Sequence, residues 1–184
     1  IVTVFQFIAV RIARNRGHAK SLSVARDAYT GFCLAANRFY KCLMKSWMHN
    51  SFHQRWLWNQ AERLFDFYQF TSRNPRGGFC DLDNHGQPAS DIRQLHATTR
   101  MVHCFAIGHL LGRPGCDALV EHGMQYIWHN HRDTKHGGYV WSLDDNGVKD
   151  ASKQAYGAAF VLLAASSAKC VGHPLADKML ADIT

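Results

Sequence analysis

A pattern that recurs about every 60 residues constrains the fold of this chain more than any other feature of its sequence. Gly77-Gly78-Phe79 matches Gly137-Gly138-Tyr139, and the turn Gly112-Arg113-Pro114 matches Gly172-His173-Pro174. Each copy reads as a hairpin or loop, a helix, a tight turn and a second helix. Because one helix pair cannot bury its apolar face alone, the repeat predicts an array in which neighbouring pairs stack.

Apolar residues at helical spacing locate the helices between these turns. The predicted helices are residues 51–70, 92–111, 116–129 and 152–170, with a last one after Pro174. Two stretches, 95–111 and 155–165, are apolar around most of their circumference, which predicts an inner layer of helices covered by an outer layer. Residues 78–86 are predicted to form a short hairpin or loop, and residues 137–147 repeat that pattern around an Asn-Gly turn.

Basic residues are concentrated in the first quarter of the chain. Residues 1–47 contain eight Lys or Arg and one acid, whereas 48–184 contain thirteen of each sign. The basic composition therefore gives no support to nucleic acid as a partner of the main body. The apolar start followed by arginines is the reverse of a secretory signal. We interpret 1–47 as a basic N-terminal extension outside the fold, upstream of a start at Met48. An organelle transit peptide or a basic nucleic-acid arm is the alternative.

Cysteine spacing and apolar run length indicate the cellular setting. The six cysteines form no C-x-x-C pair, which favours reduced thiols, no structural disulfide and a cytoplasmic location. The longest strongly apolar run, 155–165, is about half of the roughly 20 residues that a spanning helix needs, so no membrane partner is expected.

Several motifs resemble a known family. They are Arg63-Leu-Phe-Asp-Phe67, Arg100-Met-Val-His103, Gly112-Arg-Pro-Gly115 and Asp150-Ala-Ser-Lys-Gln-Ala-Tyr156. In this order and spacing they resemble the N-terminal part of the N-acylglucosamine 2-epimerase family, above all its aldose-ketose isomerase branch, which includes mannose isomerases and sulfoquinovose isomerase.

The resemblance implies an all-α fold, an (α/α)6 barrel of six helix pairs with short β-hairpins in its connecting loops. It also implies a sugar isomerase that needs no metal or cofactor and transfers a proton through a cis-enediol. Residues 48–184 supply a little over two of the six pairs, so we expect an incomplete barrel, the N-terminal part of the domain, inactive on its own. The catalytic histidines are expected beyond Thr184. A homo-oligomer is possible.

Three residues are the candidate substrate contacts, namely His96, Arg100 and Tyr156. His96, Arg100 and His103 share one helix face, and Arg100 matches a family arginine that binds the sugar. Without the resemblance, Arg100 would be read as the partner of a carboxylate. Tyr156, which follows His96 by 60 residues, also matches a sugar-contact position, with a core tyrosine as the alternative. His96 stands where the sulfoquinovose branch has tryptophan, which favours an unsulfonated hexose such as mannose.

Other patterns receive structural interpretations. No H-E-x-x-H motif accompanies the histidines, so no metal site is predicted, and they are read as surface residues: His49, His53, His129, His131 and His136. The acids of the predicted loops, Asp81, Asp83, Asp144 and Asp145, are read as turn residues. Trp141 is read as a packing residue, with stacking on a sugar as the alternative.

Each candidate function requires different side chains on the inner helices. A 2-epimerase of the same family would use the same site as an isomerase. A glycoside hydrolase on a similar barrel requires two facing carboxylates, which the predicted inner helices lack. A non-enzymatic helical-repeat module predicts exposed apolar or charged stripes and no inward Arg100. We expect an isomerase that acts on mannose and fructose, with a small-molecule sugar as its partner.

Overall fold

The structure, a computed structural model, describes residues 49–183. The chain divides into two compact units, Ile1–Glu62 and Arg63–Thr184. The interpretation of residues 1–47 as an extension outside the fold lies outside the described residues. The motif pairs of the repeat and the candidate site all belong to the second unit.

Helices dominate the described residues. In chain order the helices are α1 Ser51–Gln69, α2 Leu95–Leu110, α3 Cys116–Tyr126, α4 Ala155–Cys170 and α5 Ala176–Ile183. The strands are β1 Arg93–Gln94, β2 Ser142–Asp144 and β3 Gly147–Asp150. The predicted helices are therefore present, and α2 begins three residues later than expected because Arg93 and Gln94 pair with β2 instead.

Helices α2 and α4, which correspond to the predicted inner layer, end in the same glycine turn, and each turn leads to an outer helix, α3 or α5. Gly112 has φ +81° and Gly172 has φ +76°, a conformation that glycine adopts at low cost. The amide that follows each glycine bonds back into the helix, from Arg113 N to Gly108 O and from His173 N to Ala168 O. This pattern satisfies carbonyl groups that the helix end leaves unpaired and turns the chain toward the outer helix.

The core lies between the inner and outer helices. Helix α2 packs against α3 and α4, and α4 packs against α5. The fully buried side chains include Val102 and Phe105 of α2, Met124 of α3, Val161 of α4 and Met179 of α5. The stacking that the repeat predicts is thus observed between these two helix pairs.

A small antiparallel sheet joins the two copies. Strand β2 pairs with β1 on one side and with β3 on the other, and Gln94 lies opposite Ser142. The hairpin of the second copy is therefore attached to the segment that precedes α2 of the first. In the first copy, residues 78–86 form a loop with two isolated bridges, one between Arg73 and Phe79 and one between Leu82 and Pro88. Proline has no amide hydrogen for a longer ladder.

Helix α3 continues into one turn of π-helix, Ile127–His131. This turn corrects the interpretation of His131 as a surface residue, because it directs the imidazole into the core, where it is fully buried. Nδ1 donates to the carbonyl of Val140 at 2.9 Å. Burial lowers the pKa of His131 to about 4, so the ring is neutral near pH 7.

Candidate functional site

The two inner helices begin in the same way. Gln94 and Gln154 precede α2 and α4 in extended backbone conformations, so His96 and Tyr156 are each the second residue of their helix. Since α2 and α4 pack side by side, side chains from the first turns of both helices meet. The structure thereby brings the three predicted contact residues, His96, Arg100 and Tyr156, to one place.

Arg100 and Tyr156 are directly linked. Nη2 of Arg100 donates to the phenol oxygen of Tyr156 at 2.5 Å. The guanidinium also lies over the ring of Phe160, with its central carbon 4.5 Å from the ring centroid. Its Nε atom is buried and has no hydrogen-bond partner among the described residues. The hydrogen-bond partner of Arg100 in this site is therefore a phenol rather than the carboxylate of the alternative reading.

His96 lies against Trp141. The two rings are stacked with centroids 4.9 Å apart and planes 12° apart, and Tyr156 lies 6.4 Å from each of them. Burial lowers the pKa of His96, the charge of Arg100 lowers it further, and Asp81 acts in the opposite direction. The imidazole is thus a neutral group near pH 7, with one donor and one acceptor nitrogen.

His103 follows Arg100 by less than one turn and has a fixed tautomer. Ser167 donates its only hydroxyl proton to the carbonyl of Leu163, so it accepts the proton on Nδ1 of His103, 2.7 Å away. Burial lowers the pKa of His103, and in the neutral ring Nε2 is then an acceptor. Shared helix spacing could place His103 near the site, but the partner on α4 could not be read from the sequence.

An acid of the first loop acts on the same region. Asp81 raises the pKa of Tyr68 after the larger contribution of burial, and it also acts on His96. Asp81 precedes Trp141 by 60 residues, so the two copies of the loop present an acid and an indole at equivalent positions. The expectation that Asp81 serves only turn chemistry overlooked this proximity, which the repeat offset could have indicated.

The loop between β2 and β3 is anchored by Asp145. One carboxylate oxygen accepts from the buried guanidinium of Arg93 at 2.7 Å, and the other accepts from Arg76 at 2.7 Å. Nε of Arg93 donates to the phenol of Tyr126 at 3.1 Å. Asp145 therefore pairs with charges from the first copy. The turn interpretation holds for Asp83 and Asp144, whose carboxylates accept amides of their own loops.

Two negative findings apply to residues 49–183. No group of three or more His, Cys, Asp or Glu side chains is arranged to hold a metal ion there. In the same range, no helix combines the length and apolar character needed to cross a membrane.

Similarity to known proteins extends over most of the described residues. The family model for N-acylglucosamine 2-epimerase (GlcNAc 2-epimerase) matches residues 77–184. D-mannose isomerases of Thermobifida fusca and Pseudomonas cannabina pv. alisalensis are 40% and 39% identical to this chain over 140 residues. These matches cover 74% and 75% of this chain, and 34% and 33% of the two relatives.

A solved relative shares the fold of the matched region. A crystal structure of D-mannose isomerase superposes with a TM-score of 0.63 at 32% identity, covering 67% of this chain and 32% of that one. This chain thus spans about one third of the length of the relatives it matches. The resemblance that the motifs around Arg100 and Tyr156 predicted is confirmed, and the chain belongs to the N-acylglucosamine 2-epimerase family.

Proposed function

We propose that the protein is an aldose-ketose isomerase that interconverts mannose and fructose. The observation that carries the proposal is the hydrogen bond between Arg100 and Tyr156, which joins polar groups of two inner helices, with His96 beside them. Family membership and relatives named D-mannose isomerase support the same reaction class.

The reaction moves one proton from C2 to C1 of the sugar and one hydroxyl proton from O2 to O1. When the proton leaves C2, negative charge develops on O1 of an enediolate; protonation there gives the neutral cis-enediol, and loss of the O2 proton then places the charge on O2 before C1 is protonated. A guanidinium with fixed donors stabilises such charge, because its position needs little reorganisation as the charge develops. Arg100 would hold these oxygens, and the Tyr156 phenol, already bonded to Arg100, would orient it. The base that moves the carbon-bound proton belongs to a later repeat, as the resemblance implies.

The exposed flank of helix α4 favours the presence of further helix pairs beside it. One flank packs against α2, whereas Leu162 and Leu163 are 41% and 36% exposed. An inner helix of a stacked array has neighbours on both sides. Residues 48–184 would thus form the N-terminal part of an (α/α)6 barrel, in which a third helix pair covers this flank.

The proposal is tested by assaying the full-length protein with mannose and following fructose. Replacing Arg100 with Met removes charged hydrogen bonds, which are worth about 2 kcal/mol, so kcat/KM should fall about 30-fold. Tyr156→Phe should lower it about tenfold. The matched control is Tyr139→Phe, which removes a phenol that donates to Asp182 at 3.0 Å. It should leave kcat/KM unchanged.

Each outcome has a defined meaning. Glucose as the product of mannose would identify a 2-epimerase at the same site. Equal losses of activity in the Tyr156 and Tyr139 variants, in step with their stability, would show that Tyr156 is structural. Absence of any conversion of aldoses by the folded protein would contradict the proposed function.

A further inference from the structure

Trp141 belongs to the hairpin of the second copy but is fixed against the first. Its carbonyl accepts the amide of Leu95, the first residue of α2, at 2.8 Å, and its amide donates to Asp150 at 3.0 Å. A Cβ added at Gly157 would lie 3.5 Å from its six-membered ring. The indole is thus held by backbone bonds on both sides and by close contact with α4, before any substrate is considered.

One face of this indole is occupied by His96. The stacking at 4.9 Å and 12° is nearly parallel, so that face cannot also stack on a sugar ring. The contact therefore weakens the reading of Trp141 as a platform for the substrate. It favours a role that is exerted through His96.

The surroundings of His96 determine which of its ring nitrogens can bind a ligand. Nδ1 is buried without a partner among residues 49–183, and an imidazolium would place a second N–H there that no group in this range accepts. The charged groups that act on the ring are Arg100 on the same helix and Asp81 on the first loop, and Tyr156 of α4 lies beside it. With Nδ1 enclosed, Nε2 is the nitrogen that can meet a hydroxyl group next to Arg100.

We propose that Trp141 is a positioning residue for His96: by stacking on the imidazole, it holds the Nε2 edge where it binds a hydroxyl of the sugar. This inference rests on the proposed function, since it assumes that the sugar lies beside Arg100. It assigns to the second hairpin the task of orienting a binding group on the first inner helix.

A double-mutant cycle between Trp141 and His96 in the full-length protein tests the inference. If Trp141 acts through His96, then Trp141→Ala and His96→Ala should each raise KM for mannose about tenfold, with kcat within a factor of two. The double variant should also lose about tenfold, because nothing is left to position. Trp141→Phe should recover most of the loss. A loss of about 100-fold in the double variant would overturn the inference, because each residue would then act independently.

Two further measurements keep the outcome clear. Trp128→Ala is the matched control, since that indole packs under Arg132 at 4.3 Å; it should leave KM unchanged and show no coupling to His96→Ala. The Hε1 NMR signal of His96 reports the ring current of the stacked indole, and it should move in Trp141→Ala and stay near its original position in Trp141→Phe. An unmoved signal would refute the stacking.

Failure of the inference differs from failure of the proposed function. If the protein converts no aldose, the cycle is measured as Kd for mannose by calorimetry. Binding without coupling overturns the positioning role, whereas a complete lack of mannose binding contradicts both the proposed function and this inference. Where Trp141→Ala does not fold, Trp141→Leu keeps more apolar volume than alanine does, has no aromatic face, and takes its place in the cycle.

Discussion

The two copies of the repeat have similar backbones and different surroundings. In the first copy, the glycine pair lies beneath the ring of Tyr126, and a Cβ at Gly77 would be 2.4 Å from Cδ2 of that ring. In the second copy, a Cβ at Gly137 would meet no atom of the described part of the chain within 4 Å. The glycines are needed for backbone conformation in both copies, but only the first copy also needs them for packing.

The basic residue before each inner helix differs in the same way. Arg93 is 3% exposed and bonds to Tyr126 and Asp145, whereas Lys153 is 34% exposed and pairs with Asp133 at 2.7 Å. Both lie close to the second glycine of their pair. Equivalent residues of the two copies thus lie at corresponding places in the fold. Their contributions to the free energy of unfolding differ, because different elements cover them.

The largest predicted difference in stability is between variants of the two equivalent glycines, Gly77 and Gly137. Gly77→Ala should lower the free energy of unfolding by about 4 kcal/mol, because strain at φ +112° adds to the overlap with Tyr126. Gly137→Ala has only the strain at φ +72° and should cost about 1 kcal/mol. Urea unfolding of both variants measures the difference. Equal losses would mean that Tyr126 yields without cost and that the packing distinction is wrong.

Lowering the pH should destabilise the protein through His131, a residue of the first copy. The pKa is about 4 in the folded state and about 6.5 in the unfolded chain, so the unfolded state binds more protons between these values. The contribution of His131 is complete above pH 6.5 and is lost as the pH falls, by about 3 kcal/mol at pH 4. His131→Asn does not titrate and should lack this part of the pH dependence.

The control for His131 is His129, which is exposed in the same π-helical turn. Unfolding in urea at pH 7 and pH 4 should show the same acid loss for His129→Asn as for the parent protein. If His131→Asn loses as much stability in acid as the parent does, the buried imidazole is not the group that responds.

The smallest predicted difference in stability is between variants of the two equivalent basic residues, Arg93 and Lys153. Arg93→Met leaves Asp145 and the Tyr126 phenol without a buried partner and should cost about 2 kcal/mol. Lys153→Met removes a pair that solvent reaches and should cost about 0.5 kcal/mol or less. Thermal unfolding measures both. A larger loss at Lys153 would reverse the ranking of the two copies.

Much of the fold follows from local signals in the sequence. Gly112 and Gly172, each followed two residues later by proline, locate the helix ends, and the 60-residue offset pairs His96 with Tyr156 before any coordinates are seen. The start of α2 was missed because Arg93 and Gln94 pair with a strand about 50 residues later. No local pattern specifies that pairing.

The site was predictable in part. Helix spacing aligned His96 with Arg100, and the motif match added Tyr156. The contacts of Trp141 and Asp145 depend on how the second hairpin folds back on the first copy, which is a tertiary fact. His131 was wrongly assigned to the surface because the absence of a metal motif says nothing about burial, and nothing in the sequence indicated the π-helical turn that directs its ring into the core.

The attachment of the second hairpin to the start of α2 has a consequence for recombination between related genes. A crossover between His131 and Gly137 follows the sequence period, yet it would separate Arg93 from Asp145 and His96 from Trp141 into different parents. An exchanged block that runs from Arg93 to Asp150 keeps these pairs and strands β1 to β3 together. The cassette that can be transferred intact is therefore out of phase with the repeat that the sequence displays.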